Sequence, residues 1–121
     1  MFDLSIIIVN YNVKHYLREC LQSIYRNTKG ISLKIIIVDN NSTDGSVDML
    51  KSEFPGVKLI ENCQNLGFAK ATNQGLRENK ERYILLLNPD TIVLPNALDR
   101  MIEFMEANSH AGALGCRLLY P

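Results

Sequence analysis

The chain contains two similar apolar stretches, Ser5-Ile6-Ile7-Ile8-Val9 and Lys34-Ile35-Ile36-Ile37-Val38. In both stretches the β-branched residues are continuous and do not alternate with polar ones. Continuous runs of this kind are typical of strands buried on both faces, as in parallel sheets covered by helices. The two stretches therefore predict an α/β fold with a parallel sheet at its centre.

Strand and helix signals alternate outward from these two stretches. Segments with helical spacing lie between the apolar runs, and each is long enough for a right-handed crossover between parallel strands. The order predicts a three-layer α/β/α sandwich with a mainly parallel sheet, in one domain that covers residues 1–121. The predicted strands are 4–9, 33–38, 57–60, 83–87 and 113–119.

Turn residues predict several helix boundaries. Ser42 or Thr43 suits the N-cap of the second helix, and Pro55-Gly56 suits its end. Pro95 suits the first turn of the last helix, where a missing N–H costs no hydrogen bond.

The composition excludes several classes of protein. The chain has 121 residues, of which 46% are hydrophobic, and 13 Lys and Arg against 13 Asp and Glu. A net charge of zero gives no electrostatic attraction for nucleic acid or for an anionic membrane. No apolar run approaches the ~20 residues that cross a bilayer, and the start at Met1-Phe2-Asp3-Leu4 lacks the basic segment of a secretory signal. We therefore expect a cytoplasmic globular domain without a transmembrane segment.

The cysteines and histidines form no metal or disulfide pattern. Cys20, Cys63 and Cys116 are odd in number and far apart, and His15 and His110 lie in separate segments. Disulfide frameworks and zinc sites need paired or closely spaced ligands. We expect three reduced, partly buried thiols in a reducing compartment.

Polar segments follow four of the predicted strands, at the edge where open α/β sheets bind ligands. None of them contains the glycine pattern of a dinucleotide-binding loop or of a P-loop. A diphosphate bound there needs a metal and a few side chains to neutralise its charge. The segments are Asn10-Tyr11-Asn12, residues 39–46, residues 61–67 and Asn88-Pro89-Asp90-Thr91.

Three positions suit a nucleotide ligand, and each also has an ordinary structural explanation. Asp39 can accept a hydrogen bond from the N–H edge of a pyrimidine or from ribose hydroxyls, or it can form an Asx-turn or a helix cap. Asp90 can bind Mg²⁺ beside a diphosphate, or it can end a turn and cap a later helix. Lys70 can lie near a diphosphate at a helix N-terminus, or its segment can be a surface helix.

Taken together and in this order, the segments resemble the nucleotide-binding half of a family 2 glycosyltransferase with the GT-A fold. The resemblance covers nearly the whole chain, and its specificity comes from four weak motifs in the same order. The resembling segments are residues 5–12, 38–46, 65–69 with 73–75, and 87–90.

The resemblance implies a role for each matching position. Asp39 is expected to bind the nucleobase, and Asn41 to lie near the ribose. Asn88-Pro89-Asp90 corresponds to the metal-binding Asp-x-Asp of the family, with Asn88 in place of the first aspartate, so that Asp90 alone supplies a carboxylate to Mg²⁺ or Mn²⁺. The implied substrate-binding residues are Asn10, Tyr11, Asn12, Asp39, Asn41, Asn65, Gly67, Lys70, Asn73 and Asn88.

The implied reaction is an inverting transfer from a nucleotide-diphosphate sugar to a saccharide or lipid-linked acceptor in cell-surface polysaccharide synthesis. Asn-Pro-Asp resembles the subset that acts on rhamnosyl and related donors. The general base of the family lies in the acceptor-binding half, so we expect it beyond Pro121 and expect no catalytic residue in this chain. Alone, the chain is expected to bind donor weakly and to transfer poorly. The resemblance also allows a location of the protein at the inner face of the membrane.

The residues after the first predicted strand argue against two other classes of protein. A receiver domain needs an acidic pair after its first strand, where this chain has Asn10-Tyr11-Asn12. A nucleotidyltransferase that makes sugar nucleotides needs a glycine-rich basic loop at the same place. A non-catalytic nucleotide-binding module stays open as an alternative.

Overall fold

The computed structural model describes residues 1–120, in which four strands and four helices alternate. Pro121, beyond which the catalytic base is expected, lies outside them. No helix within residues 1–120 combines the length and the apolar character needed to cross a membrane. The elements are β1 (Leu4–Asn10), α1 (Lys14–Asn27), β2 (Leu33–Asp39), α2 (Ser46–Glu53), β3 (Lys58–Glu61), α3 (Gly67–Arg77), β4 (Ile84–Leu86) and α4 (Ala97–Ala107).

The four strands form one parallel sheet in the order β3-β2-β1-β4. The two isoleucine-rich stretches are the central strands β1 and β2, which pair along their whole length. The predicted α/β fold with a parallel sheet is therefore confirmed, and its cause is the one inferred from the sequence, since both strands are buried on both faces.

Helices cover both faces of the sheet. Ile6 and Ile8 of β1 lie in a buried cluster with Leu17 of α1, Leu50 of α2 and Leu98 of α4. Helix α3 packs on the opposite face against β1 and β2. Its approach is close, because a Cβ at Gly75 would lie 2.6 Å from Cγ2 of Ile7. The result is the three-layer arrangement that the element order predicts.

The predicted fifth strand is wrong. Residues 113–119 have no regular secondary structure, and most of them are exposed. The run contains Gly115 and Arg117 and has no β-branched residue, so it has little of the side-chain packing that favours a strand.

Two helix starts also differ from the expectation. Helix α2 begins at Ser46 after the left-handed Gly45, not at a cap on Ser42 or Thr43. The Asp44 carboxylate takes the place of that cap, because it accepts hydrogen bonds from the backbone N–H and the hydroxyl of Ser46. Helix α4 begins at Ala97 after Asn96, so Pro95 precedes the helix instead of lying in its first turn.

The end of α2 agrees with the sequence prediction, whereas the burial of the cysteines does not. Helix α2 ends at Glu53, just before Pro55-Gly56, as predicted. Of the three thiols only Cys20 is buried, whereas Cys63 and Cys116 are exposed. The expectation of three partly buried cysteines is therefore wrong, because two of them lie in surface loops.

Candidate functional site

The polar segments after β1, β2 and β3 meet at one edge of the sheet. Asn10 at the end of β1 pairs in register with Asp39 of β2, and Asp39 pairs with Glu61 of β3. On the other side of β1, β4 ends at Leu86 opposite Ile7, and Asn88 follows two residues later. The four polar segments that follow the strands therefore surround the ends of adjacent strands.

Asp39 is almost completely buried, with 2% of its surface exposed, and its own chain holds the carboxylate. Oδ1 accepts hydrogen bonds from Asn10 Nδ2 at 2.8 Å and from Ser42 Oγ at 2.7 Å. Oδ2 accepts one from the backbone N–H of Ser42 at 2.9 Å. The two contacts to Ser42 form an Asx-turn, which is the structural role predicted for Asp39 as an alternative to ligand binding. An ionised carboxylate has about four acceptor sites, so one remains for a ligand.

Asn10 supports Asp39 and does not reach the surface. Its side chain is fully buried, and Nδ2 also donates to Ser42 Oγ at 3.2 Å. Within residues 1–120 its Oδ1 has no hydrogen-bond partner. This orientation of the amide follows from Asp39, because only an N–H donor can face the carboxylate.

A cleft of about 350 Å³ opens between the β2–α2 loop and the end of β3. Of the sequence-predicted residues, Asp39 and Asn41 line it. The acidic side chains of Asp48 and Glu61 were not predicted, although the register of β3 against β2 places Glu61 beside Asp39. Its full lining is Asp39, Asn41, Ser42, Thr43, Gly45, Val47, Asp48, Glu61 and Asn62.

The β1–α1 loop is tied to the β2–α2 loop beside this cleft. The backbone N–H of Asn12 donates to Ser42 Oγ at 3.0 Å, and Asn12 Oδ1 accepts from the backbone N–H of Thr43 at 2.7 Å. Asn12 thus holds the two loops together, while the neighbouring Tyr11 is half exposed.

Asp44 forms a second tie between these loops. It accepts a hydrogen bond from the backbone N–H of Lys14 at 2.9 Å. Burial opposes ionisation of Asp44, but the hydrogen bonds from Ser46 and Lys14 outweigh it and hold the pKa of this carboxyl below its ordinary value.

A network of side-chain amides fixes the start of α3. Asn40 donates to the carbonyl of Gly67 at 3.1 Å, and its Oδ1 accepts from Asn62 Nδ2 at 3.1 Å. Asn62 and Gln74 donate to one another, each at 2.8 Å. The sequence alone does not reveal this network, because amide side chains are common and only the fold brings these three together.

The predicted residues of the α3 segment have different environments. Asn65 accepts a hydrogen bond from the backbone N–H of Gly67 at 2.8 Å, and Gly67 begins the helix with a φ of 81°. Lys70 and Asn73 lie exposed on the first turns of α3. The structure thus places Lys70 on a helix whose start is tied to the end of β2.

The turn Asn88-Pro89-Asp90 follows β4, and Thr91 Oγ1 donates to the carbonyl of Asn88 at 2.9 Å to end it. Asn88 and Asp90 are exposed. The Asp90 carboxylate makes no hydrogen bond or ion pair with any residue from 1 to 120. It does not cap α4, because that helix begins seven residues later at Ala97.

The residues of this turn can hold a divalent cation only together with a ligand that supplies further oxygen atoms. Within the described part of the chain, no group of three or more His, Cys, Asp or Glu side chains could hold a metal. Hard cations such as Mg²⁺ are commonly bound by one or two carboxylates together with phosphate oxygens and water. The unengaged carboxylate of Asp90 meets that requirement when a diphosphate supplies the remaining oxygens.

Curated relatives of this chain are glycosyltransferases. The poly(ribitol-phosphate) beta-glucosyltransferase of Bacillus spizizenii is 34% identical, over 93% of this chain and 18% of the relative. The N-acetylglucosaminyl-diphospho-decaprenol L-rhamnosyltransferase of Mycobacterium tuberculosis is 26% identical, over 93% of this chain and 40% of the relative. The chain therefore spans less than half the length of these two proteins.

Solved structures share the fold. TarS from S. aureus in complex with UDP-GlcNAc matches 88% of this chain and 32% of its own, with a TM-score of 0.78 and 20% identity. The mannosyltransferase PcManGT from Pyrobaculum calidifontis, in complex with GDP-Man and Mn²⁺, matches 86% of this chain and 32% of its own, with a TM-score of 0.74 and 23% identity. These matches confirm the predicted GT-A type of fold.

The sequence profile described as Glycosyl transferase family 2 matches residues 5–121. This match covers nearly the whole chain and includes all four strand-end segments. The chain therefore belongs to glycosyl transferase family 2.

Proposed function

We propose that this chain is the donor-binding part of a glycosyltransferase that transfers a sugar, with inversion, from a nucleoside-diphosphate sugar. The observation that carries the proposal is a pair of carboxylates with unused acceptor capacity at the same edge of the sheet. Asp39 has one acceptor site left at a cleft, and Asp90 makes no hydrogen bond or ion pair with residues 1–120. Two strand spacings separate β2 from β4, which amounts to about 10 Å. A nucleotide whose base lies at Asp39 can extend its diphosphate along the strand ends toward Asp90.

The base is proposed to be a pyrimidine with a single N–H on its recognition edge, such as uracil or thymine. Three of the acceptor sites of Asp39 are occupied by Asn10 and Ser42. The one that remains matches a lone N–H, whereas guanine presents two adjacent donors and would leave one of them unpaired. Asn41 is exposed on the cleft wall and is proposed to reach the ribose.

Asp90 and Asn88 are proposed to face the diphosphate together with a divalent metal, Mg²⁺ or Mn²⁺. Such a metal, when bound, stabilises the negative charge that develops on the departing diphosphate. The chain itself contributes an oriented carboxylate and, from α3, the exposed cation of Lys70. The residues Asn65, Gly67 and Asn73 belong to the same proposed substrate-binding segment.

The acceptor is proposed to be a saccharide or a lipid-linked saccharide of a cell-surface polymer, used at the inner face of the membrane. The polymer is suggested by the name of the Bacillus relative, a poly(ribitol-phosphate) glucosyltransferase. Rhamnose is the donor sugar that the Asn88-Pro89-Asp90 sequence suggests, as does the name of the mycobacterial relative. The general base is proposed to lie in the acceptor-binding half, so the chain alone should bind donor without efficient transfer.

Calorimetric titration tests this function. UDP and dTDP should bind the chain about 5- to 150-fold more tightly than GDP, since a guanine donor left unpaired costs about 1–3 kcal/mol. Mn²⁺ should strengthen binding of the preferred diphosphate, and the Asp90→Asn variant should lose that gain while it keeps the metal-free affinity. Absence of diphosphate binding in both conditions would contradict the proposed function. Equal binding of GDP would contradict the assignment of the base.

A further inference from the structure

Helix α1 holds the segment that carries Asp90 from beneath. Cys20, Ser23 and Asn27 lie on one face of the helix at the spacing i, i+3 and i+7, and all three contact residues 88–96. That segment has no regular secondary structure until α4 begins. Its position therefore depends on contacts with α1 and not on a strand ladder.

Ser23 makes the central contact. It is fully buried, its hydroxyl donates to the carbonyl of Cys20 at 2.7 Å, and its Oγ accepts from the backbone N–H of Val93 at 2.9 Å. The one hydroxyl proton is used by Cys20, so the Oγ can meet Val93 only as an acceptor, which fixes the direction of the contact.

Asn27 holds Val93 by the backbone carbonyl, whereas Ser23 holds it by the backbone N–H. Its Nδ2 donates to the carbonyl of Val93 at 2.6 Å, and its own carbonyl accepts from the backbone N–H of Asn96 at 2.9 Å. The Val93 side chain is buried in the core below. Both backbone groups of Val93 are thus tied to α1, only three residues after Asp90.

Cys20 supports the front of the turn. Its Sγ lies 4.0 Å from the carbonyl of Asn88 and 3.8 Å from Thr91 Oγ1. Cys20 is fully buried, and this burial raises the pKa of its thiol.

We propose that Ser23 is a positioning residue for Asp90, which sets the place of the Asp90 carboxylate at the sheet edge and thereby the metal-dependent part of donor binding. This inference rests on the proposed function. Ser23 does not line the cleft, and the residue of the segment that it holds directly is Val93, so its proposed route to Asp90 runs through Val93 and the residues between them. Side chains that orient metal ligands from behind commonly matter about 10- to 100-fold for metal affinity.

The experiment compares the affinity for UDP in Mn²⁺ with the affinity in EDTA, for the wild-type chain and for Ser23→Ala. The ratio should fall about tenfold in Ser23→Ala, whereas the affinity in EDTA should stay within about twofold. Asn27→Ala is a second substitution, at a half-buried side chain that also holds Val93. It should lower the ratio as well. Ser5→Ala is the matched control, because Ser5 is also a fully buried serine but its Oγ has no partner within residues 1–120.

The outcomes separate the inference from the function on which it rests. If Ser23→Ala keeps the wild-type ratio, or if it loses affinity equally in EDTA and in Mn²⁺, the positioning role is wrong. A double variant with Asp90→Asn should show no further loss in the ratio, and an additive loss would contradict the proposed route through Asp90. A wild-type chain that binds no diphosphate in either condition would overturn the proposed function, and the inference with it.

Discussion

At the scale of single residues, the two carboxylates of the site differ in how many of their hydrogen-bond acceptor sites the chain itself occupies. Asp39 is held by three hydrogen bonds from Asn10 and Ser42. Asp90 receives none from residues 1–120. A buried carboxylate of the first kind has a fixed direction, so it can discriminate between ligands, whereas an exposed carboxylate of the second kind can meet a cation without first breaking a protein contact.

Replacement of Asp39 by Asn tests the first kind of residue. The substitution turns one acceptor oxygen into a donor that faces N–H and O–H donors of Asn10 and Ser42. We expect a loss of about 2 kcal/mol in the free energy of unfolding, because hydrogen bonds to a charged group are lost in a buried place. UDP affinity should also fall at least about tenfold by the same reasoning. Urea denaturation and calorimetry measure the two effects.

Glu61→Gln is the control for Asp39→Asn. It removes a negative charge from the same cleft, but its side chain is exposed and forms a surface ion pair with Lys51. Exposed ion pairs contribute at most about 1 kcal/mol, so its stability should change little. Equal destabilisation by the two substitutions would show that the cleft's charge, and not the hydrogen bonding of Asp39, is responsible.

At the scale of elements, the sequence predicts those strands and helices for which a single local signal is strong. Strands β1 and β2 follow from uninterrupted β-branched runs, and the α1 face from apolar residues at helical spacing. The start of α2 was missed because Asp44, and not Ser42 or Thr43, satisfies the first N–H group of that helix. The amide network of Asn40, Asn62 and Gln74 joins segments that are 12 to 27 residues apart, so no local pattern reveals it.

The same distinction holds for the candidate site. The strand-end segments were found because chain order alone brings the ends of parallel strands to one edge. Of the side chains that line the cleft, Asp39 and Asn41 were predicted but Asp48 and Glu61 were not, since their position depends on how each loop folds back. Asn10 turns inward to Asp39, whereas Asp48 and Glu61 line the opening.

The contact between α3 and the sheet gives a prediction at this scale. Gly75→Ala would place a Cβ 2.6 Å from Cγ2 of Ile7, a side chain fixed in the middle of β1. Helix α3 must then move away from the sheet, and we expect a loss of about 1–3 kcal/mol in the free energy of unfolding. Gly56→Ala is the matched control, because nothing lies within 4 Å of its Cβ position. A Gly75→Ala chain as stable as the Gly56→Ala chain in urea would show that α3 is not closely packed.

At the scale of the whole molecule, the two edge strands of the sheet differ in how apolar their exposed side chains are. Strand β4 is an edge of the sheet, and Ile84 and Leu86 on it are 42% and 52% exposed. Ile92 and Leu94 in the segment after β4 and Phe104 on α4 are also about half exposed. The opposite edge strand, β3, carries the charged residues Lys58 and Glu61, which form ion pairs. Charged edges resist pairing with another chain, and apolar edges invite it.

We therefore expect the 121-residue chain to self-associate through the β4 side as its concentration rises. The net charge is zero, so no long-range repulsion opposes the contact. Leu86→Lys should shift the onset of association to a higher concentration, because a charge on an exposed edge strand must lose its hydration in an edge-to-edge pair. Tyr16→Lys is the control, since it changes a similarly exposed large side chain that belongs to α1 and not to the edge strand. Sedimentation velocity over a range of concentrations measures the effect, and an equal shift by both variants would mean that added net charge, and not the β4 edge, governs association.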